Sequence, residues 1–169
     1  LILEIQHALL RALRRGVRVR MLFGNLTPTH DGVPFGGPWS TARTAATSLV
    51  HSRMDALIAA GGEGYLYQEA RRPSWAPGIG VVSSHVHAKV MSADGRACVV
   101  GSANLDITAG YWESELMLVV PDAAIATALE TRIDALIAGS MRVERDDPQW
   151  QAIARSREWM RHWPGVLSI

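Results

Sequence analysis

Val81-Val82-Ser83-Ser84-His85-Val86-His87-Ala88-Lys89-Val90-Met91, then Ser92-Ala93-Asp94-Gly95, then Arg96-Ala97-Cys98-Val99-Val100-Gly101, is the stretch on which the fold turns. Asp-Gly between two apolar runs is the strongest short hairpin signal, because both residues tolerate the positive φ of a tight turn. The pattern predicts two strands, 81–91 and 96–101, joined through 92–95. Side chains two apart on a strand share a face, so His87 and Lys89 should project together, with Val86, Ala88 and Val90 on the other side. Cys98, the single cysteine, cannot form an internal disulfide. Its apolar neighbours predict a buried strand position, with no base nearby to activate it as a nucleophile.

Working outward, residues 2–15 carry Ile2, Ile5, Ala8, Leu9, Ala12 and Leu13 at helical spacing, and Gly16 ends the helix. Residues 17–23 read as a strand. Residues 24–40 form a Gly/Pro-rich loop. A second helix, capped by Ser40 and reaching Ala60, turns Ala45, Leu49, Met54, Leu57 and Ile58 inward. Gly61-Gly62 stop it before a short strand at 64–68, and a loop follows at 69–80. After the hairpin come a strand at 115–120 and a helix over 121–137, opened by Pro121-Asp122. The tail 141–169 is expected to be helical, with Trp150, Trp159 and Trp163 as packing residues. Helix, Gly turn and strand in succession predict an α/β class with a mixed sheet flanked by helices. The strand expected ahead of residue 2 is not in the chain, which predicts a domain cut at its N-terminal side and belonging to a longer protein.

Composition bounds the function. The 169 residues are 48% hydrophobic and 20% charged with a net charge of +1, which fits one globular domain, 1–169, with a real core. No apolar run reaches the roughly 20 residues of a membrane span, and no secretory signal opens the chain. The charge total does not favour a nucleic-acid partner. Arg11, Arg14, Arg15, Arg18 and Arg20 could form a basic face, but they read better as a solvated helix surface and strand edge. The basic residues are almost all Arg, and Lys89 is the one Lys. A compact ammonium is thus singled out beside His87.

The pattern His87-x-Lys89, four residues, Asp94, six residues, Gly101-Ser102-x-Asn104 resembles the HKD signature of the phospholipase D superfamily at every fixed position. The likeness extends from about Leu9 to Arg132 and takes in Arg15-Gly16-Val17-Arg18-Val19. It implies one half of a two-half phospholipase D-like fold. Lys89 would neutralise non-bridging phosphate oxygens, while Ser102 and Asn104 add neutral donors. His87 would form or discharge a phosphohistidine. Glu115, eleven residues after Asn104, occupies the place of the carboxylate that holds the far ring nitrogen of the histidine, with Glu113 as the competing choice. Asp94, in the turn, reads as structural more than proton-transferring. His85 lies roughly 6.6 Å along the same strand from His87, the wrong side for an in-line general acid. The other histidines, His7, His30, His51 and His162, sit in no recognisable motif.

One histidine cannot both attack phosphorus and protonate the leaving alkoxide. The resemblance therefore implies a second HKD half as partner, from the same parent chain or from a homodimer, with the C-terminal half of a two-motif protein favoured. No cofactor and no metal are expected. Gly101-Ser102-Ala103-Asn104-Leu105-Asp106 is similar to the bacterial cardiolipin synthase and phospholipase branch. That implies a phospholipid substrate and a bacterial cytoplasmic or membrane-associated setting. Ile107-Thr108-Ala109 departs from the Arg-Ser pair many cardiolipin synthases carry there. The alternatives are a metal-independent nuclease or phosphodiesterase acting as a homodimer, and an inactive domain serving only assembly.

Overall fold

The structure, a computed structural model, describes residues 3–24, 51–67, 74–76, 80–82, 86–104 and 114–162. Helix α1 (Leu3–Arg14) begins with Glu4 and ends with Arg11 and Arg14, charges that suit the two ends of the helix dipole. Gly16 has φ 83°, and its N–H bonds the Leu13 carbonyl while Val17 N–H reaches Ala12. This Schellman closure turns the chain into strand β1 (Arg20–Phe23). Helix α2, described over 51–59, closes the same way at Gly61 and enters β2 (Glu63–Leu66). β1 and β2 pair in parallel, the βαβ unit expected from the sequence. Arg18 grips Glu63 across them with Nε–Oε1 2.6 Å and Nη2–Oε2 3.0 Å. That bond, aided by the Tyr65 hydroxyl, pushes the Glu63 carboxyl down to about 2 against its burial.

The core lies between this sheet and the helices. Met21, Met54, Leu57 and Ile58 are buried together, with Leu9, Leu13, Phe23, Val143 and Trp150 packed against them. Met54, Leu57 and Ile58 face inward as their spacing requires; Ala45 and Leu49, expected on the same face, lie outside the described residues.

Three expectations need correction. The region 69–80 holds strand β3 (Ser74–Ala76), which pairs antiparallel with β4 (Gly80–Val82). The single strand 81–91 is therefore divided into β4 and β5 (Lys89–Ala93), and residues 86–88 are not in a strand. The mixed sheet flanked by helices is present as expected, and the strands among the described residues fall into ladders of three, two and three. β6 (Ala97–Gly101) and β7 (Met117–Val120) complete the third, wholly antiparallel one. Finally, the tail is not helical throughout. β8 (Met141–Arg142) adds antiparallel to β2, followed by α4 (Pro148–Ser156) and a 3-10 turn at Glu158–His162. Trp150 packs as expected, but Trp159 is half exposed, and Trp163 lies outside the described residues.

Helix α3 (Ala123–Ala138), capped by Asp122 accepting from Ile125 N–H, covers one face of the β5-β6-β7 sheet. Cys98 on that face is buried, as its apolar neighbours suggest. Arg20 of β1 pairs with Asp134 of α3, tying the helix to the parallel sheet. Among the described residues, no helix is long and apolar enough to cross a membrane.

Candidate active site

The antiparallel register assembles the site. Lys89 opens β5 and pairs with Gly101, the last residue of β6, which pairs with Met117, the first of β7. His87 lies just before this terminal row, Ser102 and Asn104 just after β6, and Glu115 just before β7. Residues spread over nearly thirty positions thus meet at one end of a sheet. Asp94 lies at the other end of β5, with φ 55° beside Gly95 at φ 61° and Arg96 N–H bonded to Ala93 O at 3.0 Å, a type I′ turn.

His87 is exposed and Lys89 half-buried. The Lys89 ammonium sits 2.9 Å from His87 Nδ1 and 2.7 Å from Nε2, and donates to the His87 carbonyl at 2.9 Å. An ammonium only donates, and a neutral imidazole offers one nitrogen lone pair, so one ring contact is a hydrogen bond and the other a close approach. The shared face expected from strand pleating is not what unites the pair, since β5 begins only at Lys89. The lysine folds back onto the residue two before it. Its charge lies against the imidazole, where a phosphodiester would meet both groups.

Ser102 and Glu115 form the second element. Ser102 Oγ donates to the Glu115 carboxylate and accepts from Leu116 N–H at 3.1 Å, while Ser102 N–H reaches Leu116 O at 3.0 Å. The one hydroxyl proton of Ser102 is thus directed at Glu115 instead of toward a phosphate, and the described bond of Glu115 is to Ser102. Asn104 lines the same cleft as His87 and Lys89. Glu113 and His85 lie outside the described residues.

Close backbone approaches hold these pieces in place. A Cβ at Gly101 would overlap the Leu116 carbonyl and the Met117 sulfur, which explains the glycine at that motif position in packing terms. A Cβ at Gly24 would lie 2.6 Å from the Val86 carbonyl oxygen. The end of β1 therefore touches the segment that carries His87. Neither contact has a local sequence signal.

Glu130 was also invisible in the sequence. From α3, its Oε1 accepts from Ser92 Oγ and from Gly95 N–H, both at 2.8 Å, pinning the turn that fixes the β5–β6 register. Glu130→Ala should cost about 2–3 kcal/mol, since it strips a charged acceptor from two donors. Glu130→Gln, whose amide oxygen still accepts, should recover most of it. Urea denaturation checks this; an alanine variant as stable as the parent would show that the turn holds itself. Among the described residues, no three His, Cys, Asp or Glu side chains converge as a metal site.

A His–Lys pair and an asparagine at the end of an antiparallel hairpin, beside a parallel βαβ unit, are the features of a phospholipase D-type phosphodiesterase domain. The family model described as cardiolipin synthase, phospholipase D-like domain, matches residues 3–137, and the chain belongs to this phospholipase D-like family. Its fold is similar to the crystal structure of Nuc, a phospholipase D family member from Salmonella typhimurium. The TM-score is 0.55 at 20% identity, covering 83% of this chain and 74% of Nuc. No curated protein shows significant similarity to the chain.

Proposed function

We propose that this domain supplies one half of a phospholipid phosphodiesterase or phosphatidyltransferase working through a phosphohistidine. The observation that carries the reading is the Lys89 ammonium held within 3 Å of the His87 ring. A ring nitrogen of one motif histidine attacks phosphorus, and the P–O bond to the leaving alcohol breaks. The histidine of the second motif, on the opposite side, gives that alkoxide its proton. Water or an acceptor alcohol, deprotonated by the second histidine, then displaces the first, restoring both. Lys89 and Asn104 offset the charge gathering on the non-bridging oxygens. Glu115, with Ser102, shapes the rim behind them. The partner is a second HKD half, in the parent chain or a second copy.

The cardiolipin synthase character of the family match and the Gly101–Asp106 stretch favour lipid over nucleic acid. The enzyme and its His87→Ala variant, assayed with EDTA on labelled phosphatidylglycerol and single-stranded DNA side by side, test this. Lipid turnover lost in the variant is the expected result. DNA cleavage without lipid turnover would replace the reading with a nuclease, and activity abolished by EDTA in the parent would overturn the metal-free mechanism.

A further inference from the structure

The face of the β5-β6-β7 sheet opposite α3 bears Lys89, Met91, Val99, Met117 and Val119, because paired residues share a side and alternate along each strand. Among the described residues, this face is apolar with one cation at its end. A cleft of about 500 Å³ runs along it, walled on the other side by Ile5 and Leu9 of α1 and Leu22 of β1. That size falls within the range of about 300–1,000 Å³ typical of small-molecule sites.

The order of residues along the cleft is what gives it meaning. His87 and Asn104 lie beyond the ladder's end, and Lys89 and Met117 are in its terminal row. Met91 and Val99 are two rows in, about 7 Å further. Among the described residues, polar chemistry thus passes directly into hydrocarbon without a charged side chain between. Met91 is 55% exposed and Met117 38% exposed, so apolar surface is open where the cleft leaves the His–Lys pair. Two of the walls are methionine, whose unbranched, polarisable side chain adapts to irregular apolar guests.

We propose that this cleft takes one acyl chain of the lipid whose phosphate lies at His87 and Lys89, and that Met91 and Met117 set the chain length preferred. The proposal rests on the phospholipid reading above. The occupant is an acyl chain and not a flat apolar partner, because the cleft is continuous with the phosphate-binding groups. A molecule joining an anion to a hydrocarbon is the ligand that matches both ends. Each methylene buried raises affinity roughly fourfold, so a chain reaching past Met91 gains affinity steeply with length.

Met91→Trp and, separately, Met117→Trp narrow the cleft from the sheet side. The test measures kcat/KM for dioleoyl- and dihexanoyl-phosphatidylglycerol with the assembled two-motif enzyme, alongside the size of the assembly in solution. The expected result is a fall of tenfold or more in the long-to-short ratio for at least one variant. A phosphatidylglycerol with a diazirine near the acyl terminus should also label peptides from α1 or β5. An unchanged ratio with unchanged labelling elsewhere would overturn the acyl site while leaving lipid turnover, and hence the parent reading, intact. Loss of assembly in both variants would overturn it too, by showing that the face is an interface. If the unmodified enzyme turns over no phosphatidylglycerol, both readings fall together.

Discussion

Replacing Lys89 by methionine should lower phosphodiester turnover by at least about 10²–10³-fold, the cost of losing one well-placed donor to a developing oxyanion. The physical reason is placement. A single nitrogen contacts both ring nitrogens of His87 and its carbonyl, all within 3 Å, so under the proposed function ammonium and imidazole would meet a phosphate as a unit. Methionine keeps the length of the chain and removes the charge. Lys89→Arg should not rescue, because a planar guanidinium cannot bring one compact donor to the ring lone pair and the carbonyl at once. The lysine is half-buried at the sheet's end and not in the core, so the melting temperature should move little. Steady-state kinetics with a thermal melt separate the two effects. A loss of less than tenfold would mean that the charge on the phosphate is met elsewhere.

The second large effect concerns stability. Asp55 of α2 is fully buried and binds Arg157 in two parallel contacts, Nε–Oδ2 2.6 Å and Nη2–Oδ1 2.8 Å, and accepts from Trp150 Nε1 at 3.0 Å. His51 completes the cluster, its Nδ1 3.4 Å from Arg157 Nη1. Burial first, and then the Arg157 cation, push the His51 imidazole below its ordinary value, outweighing Asp55. Asp55→Ala would leave a guanidinium with little water and no carboxylate, which costs about 3–5 kcal/mol for a buried pair. That is a large share of the roughly 5–15 kcal/mol that holds a domain folded. Asp55→Asn, which keeps an acceptor for Trp150, should cost less. Denaturant titration reads both. A loss below about 1 kcal/mol from the alanine variant would show that α4 is held by Trp150 packing alone.

The contrast between these two residues marks what could be read from the chain. The Asp94-Gly95 turn is a local event, so the β5–β6 hairpin and the approach of Lys89 to Gly101 were legible. So were the helix endings at Gly16 and Gly61, which follow from backbone conformation alone. The break between β4 and β5 was not. Residues 81–91 run on as strand-forming sequence, and β4 instead pairs back with β3, a contact that periodicity cannot register. Two-residue β8 exists only because β2 offers it an edge, so a helical tail was the natural local reading. Trp159 shows the limit of composition: a residue type usually buried is here half exposed. In the site, His87, Lys89 and Asn104 announced themselves by spacing, and Glu115 by resemblance. Glu130, thirty-eight residues from Ser92, and Gly24, sixty-two from Val86, act through tertiary contact that leaves no local trace.

Under the proposed function, His87 belongs to a covalent phosphodiesterase centre completed by a second motif. Rapid quench of the assembled enzyme with acyl-labelled phosphatidylglycerol, followed by peptide mass spectrometry, tests it most directly. The expected result is a phosphatidyl adduct on a motif histidine, acid-labile as a phosphoramidate. His87→Ala should either abolish that adduct, if His87 is the nucleophile, or leave it undischarged on the second motif, if His87 handles the proton. No adduct in any form, or full turnover by the His87→Ala variant, would contradict it.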